Sequence, residues 1–387
     1  MASVLIAVIY LAFISMGLPD ALLGAAWPSI QVMWNVPVSW AGIITFLISL
    51  GTVLSSVASN RLIQRFGTGW LTVGCTALVT LALFGFSLAQ SFWVLCVLAL
   101  PYGLGAGSID AALNNYVALH YKSRHMSWIH FFWGLGAAAG PTIMGWCLTG
   151  GATWNSGYRV VGLVQLAMTA VLLLTLPLWK KNPAEEQKAE GRKPVTEREA
   201  LRLPGAKAVL GAFFCYCAME STTGMWASSY MVAVRGIDAQ TAASWAAVFY
   251  VGITAGRFLC GFIADKLGDR VMVRLGQGMA ALGAVLMLLP LPKEGAFAGL
   301  LLIGLGCAPV YPCMLHQTPK NFGADHSQAL MGLQMACAYV GSTLMSPLFG
   351  VLAGVVSLAL YPVYLLLIAV TMFLLMERVN RIVREKN

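Results

Sequence analysis

An all-α integral membrane protein of twelve spanning helices, arranged as two pseudo-symmetric six-helix bundles, is the fold this 387-residue chain predicts. Three observations carry the prediction. Hydrophobic residues make up 59% of the chain and charged residues 10%, with mean hydropathy +0.77; soluble domains carry about 25% charge. Apolar stretches of about 20 residues, the length a helix needs to cross a bilayer, recur twelve times. Glycines repeat at an offset of 201 residues: Gly51 with Gly252, Gly67 with Gly268, Gly105 with Gly306, Gly140 with Gly341. Such self-similarity marks one half copied into two.

The stretches fall near 4–33, 38–59, 69–89, 92–118, 128–149, 157–179, 207–233, 242–263, 271–291, 295–317, 328–350 and 355–376. The first lacks a basic start and a small-residue cleavage site and is too long for a cleaved signal. Of the 24 Lys and Arg, 20 fall in loops on one side or in the C-terminal tail, and only Arg235 and Lys293 in loops on the other. By the positive-inside rule the basic side is cytoplasmic and both termini lie there. The bias also accounts for the net charge of +9 without nucleic acid. A polar stretch divides the chain into a bundle at 1–179, a cytoplasmic linker at 180–206 with a short surface helix, and a bundle with a short tail at 207–387. All nine cysteines fall within spans, where no disulfide is expected. No HExxH, GxSxG, phosphate loop or His/Cys cluster suggests an enzyme or a metal site.

Each half carries a polar loop after its second span. The first reads Asn60-Arg61-Leu62-Ile63-Gln64-Arg65-Phe66-Gly67, the second Gly261-Phe262-Ile263-Ala264-Asp265-Lys266-Leu267-Gly268-Asp269-Arg270. The second resembles, at every fixed position, the loop motif of the major facilitator superfamily. The resemblance implies the major facilitator fold, with Gly261, Asp265, Lys266, Gly268 and Arg270 as a gating latch. Arg61, Arg65 and Gly67 occupy the matching loop, where Gln64 replaces the acid and Asn60 the first glycine. Turn and orientation chemistry is the plainer reading of both loops. Arg257, eight residues before Asp265, reads as a pairing partner within the gating set.

A narrower resemblance lies in the fourth span, Gly103-Leu104-Gly105-Ala106-Gly107-Ser108-Ile109-Asp110-Ala111-Ala112-Leu113-Asn114, and in Tyr216, Glu220, Gly224 and Trp226 of the seventh. Both are similar to the fucose–proton symporter family. That family implies a sugar substrate, a proton as coupling ion without other cofactor, and proton-handling acids on the first and fourth spans.

Charged groups at the centre of a bilayer are costly, so acids there are candidates for function. Asp20, Asp110 and Glu220 are the proton-coupling candidates, because desolvation favours the neutral form of a buried carboxyl. Asp20 and Glu220 lie 200 apart, each four residues before a glycine (Gly24, Gly224) and followed by Trp27 or Trp226. They read as pseudo-symmetric partners facing one cavity, with Asp20, Gly24 and Trp27 on one helical face. Asn114, Asn115, Gln334 and His130 supply hydrogen-bonding groups, and Trp27, Trp133, Trp226 and Tyr339 aromatic surface, for a polar solute; Glu220 belongs to that set too. Each acid could instead pair with a buried base or sit near a wet helix end. The small-residue run Gly136 to Pro141 reads as a close-packed helix face. The expectation is a monomeric carrier in a bacterial-type inner membrane, importing a sugar or polyol with protons; a proton-coupled exporter of drugs or metabolites is the alternative.

Overall fold

A computed structural model describes residues 2–180 and 195–386. The first span is two helices, α1 (Ala2–Asp20) and α2 (Leu22–Trp34). It is followed by α3 (Ala41–Phe66), α4 (Thr68–Leu88), α5 (Phe92–His120), α6 (Ser123–Thr149) and α7 (Trp154–Leu174). A six-residue helix, α8 (Glu197–Arg202), precedes α9 (Ala206–Arg235), α10 (Ala239–Leu267), α11 (Asp269–Leu288), α12 (Lys293–His316), the short α13 (Thr318–Phe322), α14 (Ala324–Val355) and α15 (Tyr361–Lys386).

Eleven spans among the described residues are long and apolar enough to cross a membrane. The twelfth is α9. Its 30 residues exceed the required length, but Glu220, Ser221, Thr222, Thr223, Ser228 and Ser229 dilute its apolar character. Among the described residues there are thus twelve helical segments of spanning length, as expected, and α9 carries one of the three intramembrane acids. Of the linker read at 180–206, residues 181–194 lie outside the described residues; α8 occupies part of the remainder.

The chain forms two compact units. One comprises residues 1–119 and 128–197, the other 120–127 and 198–387. The start of α6 therefore groups with the second unit and the rest of that helix with the first.

Three duplicated glycine pairs make equivalent contacts in the two units. A methyl on Gly51 would stand 2.7 Å from the Leu100 carbonyl oxygen; one on Gly252 would stand 3.1 Å from that of Leu301. Gly103 faces the Ile48 carbonyl and Gly304 the Phe249 carbonyl, each too close for a side chain. A methyl on Gly105 would stand 2.8 Å from the Cys75 carbonyl oxygen, and one on Gly306 2.6 Å from that of Gly276. The partner residues are themselves 201 apart, so the repeat extends to the backbone-to-backbone seams that glycine permits. The fourth pair departs: Gly140 abuts Leu18, whereas Gly341 abuts Phe214 rather than Met219, the residue offset by 201 from Leu18. The partner helices differ here: α1 carries Pro19 next to Leu18 and ends at Asp20, whereas α9 runs on to Arg235.

Candidate functional site

The break in the first span follows from Pro19. Without an N–H, proline leaves the carbonyl four residues earlier unbonded by the helix. That carbonyl is Ser15, and Gln165 of α7 reaches in to donate to it at 2.7 Å. At the break, as the last residue of α1, Asp20 is exposed although it lies within an apolar span. Its Oδ1 accepts from the Tyr102 hydroxyl of α5 at 3.1 Å, and its Oδ2 from the Trp133 indole of α6 at 2.9 Å. Both donors are neutral. α6 can approach because Gly17, Gly136 and Gly140 line its contact with α1, where a methyl on any of them would fall closer than 3.0 Å to a facing carbonyl oxygen.

One helix over, Asp110, Asn114 and His130 form a buried chain. Asn114 donates from Nδ2 to Asp110 Oδ1 at 2.7 Å and to the Asp110 carbonyl at 2.9 Å. Asn114 Oδ1 lies 3.0 Å from His130 Nε2. An amide oxygen only accepts, so with this amide orientation the His130 proton is on Nε2. Phe13 packs edge-on against the imidazole, with centroids 5.5 Å apart. The single α5 face carrying Gly103, Gly107, Asp110 and Asn114 thus meets two neighbours. The glycines seat α3, where Ser56 donates to the Gly107 carbonyl at 3.2 Å; the polar pair meets α6. Asn115 is buried beside them.

In the second unit Glu220 of α9 faces Arg257 of α10, with 3.8 Å between Oε1 and the guanidinium. The same guanidinium donates to the Tyr216 hydroxyl at 3.4 Å, one turn earlier on α9. Tyr250 lays its hydroxyl over Gly224, where no side chain would fit. Arg257, read as a pairing partner, is buried against Glu220 and Tyr216. Asp20 and Glu220, offset by 200, differ in kind, since one is held by neutral donors and the other by a cation.

Several expected neighbours of the acids stand elsewhere. Trp27 is buried where Asp20 is exposed; its indole donates to the Val38 carbonyl at 2.9 Å and its ring meets Phe92. Trp226 donates to the Ser346 carbonyl at 3.0 Å and packs on Phe349. Gln334 is fully buried and accepts from Thr318 at 3.0 Å. Tyr339 is half-buried on α14, one residue beyond the buried Ala338. Tyr102, Gln165 and Tyr250 went unnoticed in the sequence; the one signal that could have found any of them is the missing N–H of Pro19, which leaves the Ser15 carbonyl needing a donor.

The two loops share a turn and differ in chemistry. Gly67 (φ 80°) and Gly268 (φ 79°) both adopt left-handed backbone and bond back four residues, to Ile63 at 2.7 Å and Ala264 at 2.8 Å. In the second unit Asp265 accepts from the Arg124 backbone N–H at 3.1 Å and forms an ion pair with its guanidinium. Asp269 beside it accepts from Ser123 and bonds His316 Nδ1 at 2.7 Å, while His316 Nε2 lies 3.0 Å from the Tyr121 carbonyl. Lys266 is exposed and Gly261 buried, with Arg270 half-buried. In the first unit the two residues that depart from the motif hold the chain before α8. Asn60 and Gln64 donate to the Val195 carbonyl at 3.0 and 3.4 Å, and Arg61 pairs with Glu197 at 3.4 Å. Arg65 lies over the Phe66 ring.

A family model described as Major Facilitator Superfamily matches residues 9–344, and again 208–385. The chain belongs to the major facilitator superfamily. It is a multi-pass membrane transport protein, not an enzyme. Among curated relatives, this major facilitator chain is 25% identical over 284 residues to Bypass of stop codon protein 6 of Saccharomyces cerevisiae, covering 66% of this chain and 56% of that protein. It is 23% identical over 283 residues to the cis,cis-muconate transport protein of Acinetobacter baylyi, covering 69% and 67%. Among solved structures it superimposes on FucP, the Escherichia coli fucose:proton symporter, with TM-score 0.79, 15% identity, and coverage of 96% of this chain and 97% of that one. At that identity the match speaks to the fold.

Proposed function

We propose that this transporter carries a small polar solute, most naturally a sugar or polyol, inward by alternating access and in symport with protons, across a bacterial-type inner membrane with both termini cytoplasmic. The observation that carries the reading is Asp20. An exposed carboxyl at a helix break in mid-span, held by one indole and one phenol, can accept hydrogen bonds from solute hydroxyls while the Trp133 ring offers a flat apolar surface. Its hydrogen-bond partners carry no positive charge, so a proton can neutralise it without breaking an ion pair. Asp110, buried against Asn114, is the second proton site. Glu220 is committed to Arg257 and serves binding. No metal or organic cofactor enters; the coupling ion is the proton.

A second reading is supported by Arg257. A guanidinium beside Glu220 suits a solute carboxylate, and one curated relative is named for cis,cis-muconate transport. Purified protein in liposomes containing a pH dye separates the two. Internal acidification on adding a neutral sugar or polyol supports the first reading, and acidification on adding a dicarboxylate alone supports the second. No response to either panel, with no solute binding, would refute proton-coupled import of both classes.

A further inference from the structure

A cleft of about 720 Å³ opens in the second unit where α8, the start of α9 and the end of α15 converge. That volume lies within the range of about 300–1,000 Å³ typical of small-ligand sites. Four cations line it, Arg198, Arg202, Lys207 and Arg378, and no acid does. All four are exposed, and none makes an ion pair among the described residues. Glu377, the nearest acid in sequence to Arg378, is already engaged: Arg274 grips both its carboxylate oxygens, at 2.6 and 2.7 Å. The cleft owes its shape to Gly205. Its φ of +89°, which favours glycine, turns the chain between α8 and α9, and Ile382 of α15 packs beneath that turn.

Apolar side chains form the other half of the lining, among them Leu201, Leu203 and Leu375. They continue into a lipid-exposed stripe on α15. Leu367, Val370 and Leu374 are 63%, 45% and 61% exposed and recur at helical spacing, and Arg378 stands one turn beyond Leu374 on the same face. Apolar surface thus gives way to positive charge within one turn. A soluble phosphate would use the cations and leave the stripe unused, whereas a phospholipid would use both.

We propose that this cleft binds the headgroup of an anionic phospholipid, its phosphodiester held by Arg198, Arg202, Lys207 and Arg378 and its acyl chains lying along the exposed face of α15. The site shares no residue with the Asp20, Asp110 or Glu220 clusters.

The test uses the full-length protein purified in a mild detergent, with native mass spectrometry counting retained dioleoyl-phosphatidylglycerol against dioleoyl-phosphatidylcholine. The wild type should retain the anionic lipid preferentially. The double variant Arg198→Gln/Arg378→Gln should lose about 25-fold of that preference, at about fivefold per cation. The variant Arg381→Gln, outside the cleft, should leave it unchanged. Lys207→Gln alone should lower the preference about fivefold, so the proposal stays testable should the double variant unfold. Undiminished preference in both cleft variants, or an equal loss in Arg381→Gln, would overturn it. Displacement of the lipid by millimolar inorganic phosphate would instead identify a soluble-anion site and overturn the lipid assignment.

Discussion

The Glu220–Arg257 pair predicts an asymmetric response to removing either partner. The two side chains are 25% and 5% exposed, at a separation of 3.8 Å. At an effective dielectric of about 20 their attraction is about 4 kcal/mol. Desolvation opposes most of that, so the pair itself adds little. Losing one partner is different, because breaking a buried pair strands a charge at a cost of about 3–5 kcal/mol. Glu220→Gln strands the deeply buried guanidinium and should destabilise by ~3 kcal/mol, at the lower end of that range because Glu220 is partly hydrated. Arg257→Gln strands the more accessible carboxylate, which can hydrate or take up a proton, so its cost should be smaller. The double variant should be more stable than Glu220→Gln alone. Equilibrium unfolding of the three variants in mixed micelles, read by tryptophan fluorescence, yields the coupling energy. A value below about 0.5 kcal/mol, the scatter of independent sites, would refute the pairing.

Other consequences can be checked alongside. Asp20→Asn should abolish concentrative uptake while leaving solute exchange down a gradient, measured by counterflow in liposomes; retained accumulation removes Asp20 as a proton site. Gln165→Leu deprives the Ser15 carbonyl of its donor and should cost about 1–3 kcal/mol in the same unfolding assay; a neutral result would mean that another group satisfies that carbonyl. Gly103→Ala and Gly304→Ala, equivalent positions in the two seams, should each destabilise by about 1–3 kcal/mol through overpacking. A large cost at one and none at the other would show that the seams are not mechanically equivalent.

The fold was legible because bilayer physics writes itself into composition. The apolar lengths, the lopsided Lys and Arg, and the 201-residue glycine register each follow from one constraint acting on many residues. Even α9, the most diluted by polar side chains, was legible as an apolar stretch at 207–233. The acids were legible for the same reason, since Asp20, Asp110 and Glu220 are conspicuous in apolar sequence. Their partners were not. Tyr102 and Trp133 converge on Asp20 from two other helices, a matter of helix rotation that one-dimensional spacing does not encode. The contacts of Trp27 with Val38 and Phe92 were likewise hidden, since spacing along one helix does not show what packs against it. Arg257 was legible as a pairing partner, but its partners Glu220 and Tyr216 lie across a packed interface that spacing along one helix does not encode.

The polarity of α9 bears on how the protein is made. A segment carrying Glu220 among several hydroxyl side chains gains little by entering lipid unaided, and the cation that offsets its carboxylate is encoded 37 residues later. At about 5–20 residues per second of synthesis, Arg257 follows Glu220 out of the ribosome by roughly 2–7 s. For that interval the seventh span has no charge partner, and its stable residence in the bilayer depends on the arrival of the eighth. Insertion of this half is therefore a joint event of two helices rather than a sequence of independent ones.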